Sequence, residues 1–352
     1  MALTLARFGS FAASAVLFGL VPVLLLVVRP ALADAAGERW AAARARLADT
    51  LEDLVRAALV AATVATAVVL LLQATLVAQF GRGDVGGAEV EAVFETSFGT
   101  WHAFRFPLLA MLAVVLAGRV RSSALAGAGD GGSAPGAVWW AAWAAGAAGL
   151  LCTTSLSGHA AVATPRVAAV CNDVVHLAAG SAWFAGVVVL AAVLPRALGA
   201  VPAPERLVVL APAVVAFSRV ALVSIAVVAV TGTVNSFLHV GAPSDLVTTG
   251  YGRVLAVKIG LFVVVLGLGA LNHLYVRRRL ERSLRDGVSP GRARRVFRRA
   301  IAAELALALV VLGATGLLVG LARTKQAAVA PTEPPGGAAH GAPEPRTPIR
   351  SP

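Results

Sequence analysis

Charge is scarce in this 352-residue chain: Asp, Glu, Lys and Arg make up 14% of it, against about 25% in an ordinary soluble domain. With 58% hydrophobic residues and a mean hydropathy of +0.82, that shortage excludes a water-soluble globule and points to a polytopic membrane protein. Methionine is nearly absent, with only Met1 and Met111, so there is no Met-rich stretch of the kind a soft-metal relay uses. The two cysteines, Cys152 and Cys171, show neither CxxC nor finger spacing. They read as small apolar residues rather than a disulfide or thiolate pair. GxSxG, HExxH and phosphate-binding loops are missing, which argues against a hydrolytic enzyme and a nucleotide-driven pump; no enzyme activity is expected. The formal charge of +12 is no sign of nucleic-acid binding, because no soluble domain carries it.

What the chain has is apolar runs. Eight candidate spans lie at roughly 8–28, 54–79, 101–118, 137–157, 173–194, 212–238, 252–275 and 300–321, each near the 20 residues a membrane helix needs. Breaker clusters at Gly81–Gly87, Gly127–Gly136, Pro195–Pro204 and Gly241–Ser244 separate them. The fold class expected is therefore all-α, a polytopic membrane bundle of about eight helices. Residues 1–136 hold spans one to three, 137–325 hold spans four to eight, and the Pro/Gly-rich tail 326–352 reads as disordered.

Arginine orients the bundle. Basic residues crowd the connections after spans one, three, five and seven, the last with ten arginines between Arg277 and Arg299. The alternate connections are poor in them, and one is acidic, with Asp84, Glu89, Glu91 and Glu95. All basic loops share one parity, so they are expected in the cytoplasm and both termini outside. Arg7, the first apolar run and Ala31-Leu32-Ala33 also resemble a cleavable signal peptide. Cleavage would turn the ten arginines outward, so the run is read as a membrane helix.

Under this topology four histidines fall at the outer face. His102 opens span three, His159 closes span four, His176 lies in the first turn of span five, and His239 ends span six. His273 falls at the inner end of span seven and His340 in the tail. Four imidazoles from four helices at one depth form the arrangement from which a bundle builds a metal site, and neutral imidazole suits copper, zinc and iron. A single interfacial histidine is more often merely amphipathic; it is the gathering that counts. Asp173 and His176 share a helical face at i, i+3, where the carboxylate would orient the imidazole or simply cap the helix. Ser155 and Ser157 are expected to serve packing. Arg105, one turn past His102, Lys258, two turns inside from Tyr251, and Asn235 with Thr231 complete a polar outer vestibule. Ionisable residues within spans are expensive and usually functional, although Lys258 is near enough to the interface to snorkel.

From about Ser155 to Leu280 the residues resemble the CopD family of bacterial copper-resistance membrane proteins. The stretches that carry the likeness are Ser157-Gly158-His159-Ala160, Asp173-Val174-Val175-His176-Leu177 and Trp183-Phe184-Ala185-Gly186, the last departing mildly from a Trp-Leu-Gly-Gly-like run. Phe217-Ser218-Arg219, Thr231-Gly232 and Thr249-Gly250-Tyr251-Gly252-Arg253, followed by Lys258, continue the series. The resemblance implies a multi-pass protein of the bacterial inner membrane that moves copper inward from the outer compartment. It carries the family's histidine positions to His159 and His176, with Asp173 beside the second. It also implies a periplasmic copper-binding partner of the CopC type; no such domain is fused here.

Two other readings stand beside copper transport. Paired histidines, His159 with His176 or His102 with His239, could hold haem b axially in an electron-transfer subunit. A scaffold with purely interfacial histidines would bind neither metal nor haem.

Overall fold

The computed structural model describes residues 1–35, 37–81, 86–125, 136–202, 205–271, 302 and 305–317. The expected disordered tail, His273, His340 and the arginines from Arg277 to Arg299 lie outside them. Among the described residues every regular element is helical. Six helices among the described residues are long and apolar enough to cross a membrane. They are α1 (Ala2–Ala31), α2 (Glu38–Ala78), α3 (Ser97–Gly118), α4 (Ala137–Leu156), α5 (Arg166–Ala200) and α6 (Arg206–Leu238). Two more apolar helices follow: α7 (Gly250–Leu271) and α8 (Leu305–Leu317).

Several helices outrun the apolar stretch that announced them. α2 has 41 residues, about 60 Å at 1.5 Å per residue and roughly twice the hydrocarbon thickness. Its charged first turns, with Arg44, Arg46, Asp49 and Glu52, bury Trp40, Ala43 and Leu47, an i, i+3, i+7 stripe that needs only one covered face. Arg44 donates to the Ala35 carbonyl at 3.0 Å and ties this extension to the α1–α2 turn. Gly37 in that turn has φ 88, left-handed backbone that favours glycine. α5 starts at Arg166, with Pro165 in the capping position, rather than near residue 173. Asp173 is therefore no cap, and His176 lies about three turns inside rather than in the first. α4 stops at Leu156, and His159 opens a short 3₁₀ turn, His159–Val162, instead of closing the helix.

α1 sits at the centre. Leu17, Leu20 and Val23 are almost fully buried in one core shared with α2 to α6 and α8. Lipid is as apolar as leucine, so close packing of small residues has to hold such helices together. At Gly19 an added Cβ would run into the carbonyl of Ser181, and at Gly186 into the ring of Phe217; α1 meets α5 and α5 meets α6 by way of these glycines. Trp143 Nε1 donates to the Leu17 carbonyl at 3.1 Å and joins α4 to α1. Where an added Cβ on Gly316 would meet the Thr4 carbonyl and Phe8, the end of α8 lies against the start of α1.

Two helices widen their hydrogen-bond ladders. Leu24–Val28 of α1 and Val189–Val193 of α5 are π-helical, and each precedes a proline, Pro30 and Pro195. Proline lacks the N–H for the i−4 carbonyl and its ring crowds that oxygen, so the preceding turn opens.

Candidate functional site

One cavity of about 440 Å³ lies at a single end of the bundle. α1, α3, α5 and α7 line it mostly with residues from their first halves, and α2, α4 and α6 with later ones; α8 adds Ala308, Val311, Leu312 and Thr315. That alternation is what helices crossing up and down in turn require. It brings His102, Arg105, Asp173, His176, Asn235, Tyr251 and Lys258 to one space, as the depth argument from sequence expected. His159 and His239 are placed by backbone alone, and their side chains lie outside the described residues. Gly158 and Ala160 on either side of His159 line the cavity, as does Ser236 one turn before the end of α6.

His176 is held by α6. Thr231 Oγ1 spends its proton on the Val227 carbonyl at 2.6 Å, so at 2.9 Å from His176 Nδ1 it accepts the ring's N–H. That fixes the tautomer and leaves Nε2 with its lone pair, the form of imidazole that binds a metal ion. A Cβ on Gly232 would sit 3.3 Å from the ring, so glycine there makes room for it. Next to it Asn172 donates to the Thr231 carbonyl at 3.0 Å and to Asn235 Oδ1 at 2.8 Å. Asn235 Nδ2 then donates to Asp173 Oδ1 at 3.3 Å. Lys258 on α7 interacts electrostatically with both Asp173 and His176. Tyr251, buried with Leu255 against Val240 and Leu246, closes this side.

His102 belongs to the other side of the cavity. Its ring stacks on Phe98 with centroids 4.0 Å apart, and Nδ1 lies 3.0 Å from the Phe98 carbonyl. A carbonyl only accepts, so Nδ1 carries the proton here too and Nε2 stays free to ligate. Thr96 caps this short helical stretch by accepting from the Gly99 amide at 3.0 Å. The charged neighbours of His102 are Arg105 and Arg7.

Arg105 is 1% exposed and reaches three other helices. It donates to Ser10 and Ser14 on α1 at 3.1 and 2.7 Å, to Thr66 on α2 at 3.3 Å, and to Thr153, Thr154 and the Leu150 carbonyl on α4 at 3.4, 2.7 and 3.3 Å. Ser14, Thr66, Thr153 and Thr154 each donate to a carbonyl of their own helix, so their lone pairs face the guanidinium. Sequence reading found Arg105 but none of these partners. Arg7, Ser10 and Ser14 at i, i+3, i+7 form a polar stripe on one face of an apolar helix, and that signal was available.

Among the described residues no three His, Cys, Asp or Glu side chains form a group able to hold a metal ion. Cys152 and Cys171 are free thiols.

Residues 1–165 match the family described as Copper resistance protein D-like, N-terminal domain, and residues 211–318 match Copper resistance protein D. The chain belongs to the copper resistance protein D family. Among its relatives, a copper transport protein of Bacillus subtilis, CutJ, is 29% identical over 222 residues, which is 63% of this chain and 36% of the relative. Copper resistance protein D of Pseudomonas syringae pv. tomato is 31% identical over 166 residues, 46% of this chain and 53% of the relative. The chain thus spans about a third to a half of the length of these relatives. No solved structure matches it. The two matched regions place α1 to α4 in the N-terminal domain of the copper resistance protein D family. They place α6, α7 and α8 in the second matched region, and the cavity is lined from both.

Proposed function

We propose that this chain is a copper-handling protein of the bacterial inner membrane, which takes copper from the outer face into the cavity and passes it inward. The observation that carries the reading is the pair of described imidazoles, His102 and His176, each with Nδ1 committed to an acceptor and Nε2 left to ligate, lining one cavity at one end of the bundle. His176 and Asp173 are the first ligand candidates, together with His159 at the neighbouring turn; His102 and His239 come next. Asn235 holds the carboxylate, while Lys258, Tyr251 and Arg105 set the charge and walls around the ion. Imidazole and carboxylate accept Cu(II) as well as Cu(I), unlike a thioether relay. The family and the names of the relatives support copper as the cargo. The arginine-rich loops support the cavity end as the outer one, where a periplasmic donor of the CopC type would dock.

The test is elemental analysis and a visible spectrum of the detergent-purified protein, wild type against His159→Ala/His176→Ala. Bound copper that is lost in the double variant, with no Soret band, is the expected result. A Soret band lost in the variant would replace this reading with a haem b electron-transfer protein.

A further inference from the structure

The charge of the cavity is the wrong sign for a cation alone. Its lining carries three basic side chains, Arg7, Arg105 and Lys258, against one carboxylate, Asp173. Asp173 answers Lys258 electrostatically, at the His176 side. On the His102 side every described hydrogen bond of Arg105 goes to a neutral hydroxyl or carbonyl oxygen. Neutral oxygens satisfy the donors of a guanidinium but leave its charge uncancelled, and a buried uncancelled charge is costly. Arg7 adds a second positive charge on the same side, since it and Arg105 are the two charged groups that act on His102. Its Nε is buried with no hydrogen-bond partner among the described residues, whereas buried polar groups are nearly always satisfied.

We propose that the cavity holds a small monovalent inorganic anion, a halide, beside Arg7, Arg105 and His102. The donor supply sets the class. The N–H groups of Arg105 already have oxygen partners, so the site offers the Arg7 guanidinium, with its unmatched Nε–H, and a strong positive field. That suits a halide, which takes few directional bonds, better than phosphate or sulfate, whose several oxygens call for several donors. Four of the five hydroxyls around Arg105, those of Ser14, Thr66, Thr153 and Thr154, cannot do the anion's work, because their protons are turned to their own helices; the Ser10 hydroxyl is the one that could add a bond to it. A bound halide also offsets one unit of the positive charge that a copper ion would bring to the His176 and Asp173 side; this consequence, unlike the site itself, rests on the copper reading.

The experiment is chloride titration of the full chain in detergent, without copper, read by chloride-35 NMR line broadening at constant ionic strength with gluconate as the balancing anion. Wild type should broaden the line saturably. Arg7→Gln should weaken the effect about tenfold, the scale of one charge-assisted bond, and Arg7→Lys should retain part of it. Arg253→Gln, outside the cavity, should behave as wild type. Absence of saturable broadening in wild type, or equal broadening in Arg7→Gln, overturns the site. So does phospholipid that co-purifies with wild type, blocks chloride and is lost in Arg7→Gln, since a lipid phosphate would then be the occupant. Because no copper is present, failure here leaves the copper reading standing, and loss of copper binding leaves the chloride result intact.

Discussion

Arg105 on α3 and Thr154 on α4 meet at 2.7 Å, and the same guanidinium reaches Ser14 on α1 at an equal distance. One side chain thus fastens helices far apart in sequence, at the wall of the cavity. Arg105→Lys keeps the charge but not the planar fork. It should lower the stability of the purified protein by about 1–3 kcal/mol, the range for losing charge-assisted bonds within a bundle. Arg105→Ala should cost more, about 2–5 kcal/mol, because it also leaves a cavity where the long side chain packed. Thermal melts in detergent check both, and equal melting temperatures for Lys and wild type would show that the fork carries no weight.

Two glycines of the bundle should respond in opposite ways. Gly19→Ala drives a Cβ into the Ser181 carbonyl and forces α1 off α5, at a cost of about 1–3 kcal/mol. Gly180→Ala meets nothing within 4 Å and should be neutral, or stabilising by up to about 1 kcal/mol through helix propensity. A detergent melting curve of each variant reads the difference.

Thr231→Val removes the acceptor for His176 Nδ1 while keeping the side chain's shape. Copper affinity, measured by competition with a chelator of known strength, should fall about 10- to 100-fold, as when outer partners of ligating histidines are lost. Thr231→Ser should restore it. An unchanged affinity in the valine variant would remove His176 from the site.

Orientation can be read by labelling. In a background with Cys152 and Cys171 replaced by alanine, Ser244→Cys lies in an exposed turn at the cavity end and Gly199→Cys at the opposite end. A membrane-impermeant maleimide should label the first in intact spheroplasts and the second only after permeabilisation. The reverse pattern would invert the bundle.

The alternation of the helices and the gathering of polar residues at one end of the bundle were legible because apolar length is a long-range average. Helix ends were not: Glu38 to Asp53 is polar enough to leave the hydropathy signal, and Arg166 and Asn172 interrupt an otherwise apolar stretch, yet both segments belong to the helices α2 and α5. Asp173 was therefore placed at a helix start that it does not occupy. The partners of Arg105 were hidden for another reason. A lone Ser or Thr in an apolar helix gives the same signal whether it bonds its own i−4 carbonyl or also a neighbour's guanidinium, and Thr66 does both.

All polar lining lies in one half of the bundle, while Val23, Val27, Leu190, Val193, Leu194 and Val209 fill the other half with almost no exposed surface. Among the described residues the cavity is a cup rather than a pipe. An ion passing inward from its floor would have to part those aliphatic side chains. Both π turns, Leu24–Val28 and Val189–Val193, lie within that floor, so the places where the backbone ladder is already loosened are the places that passage would have to open.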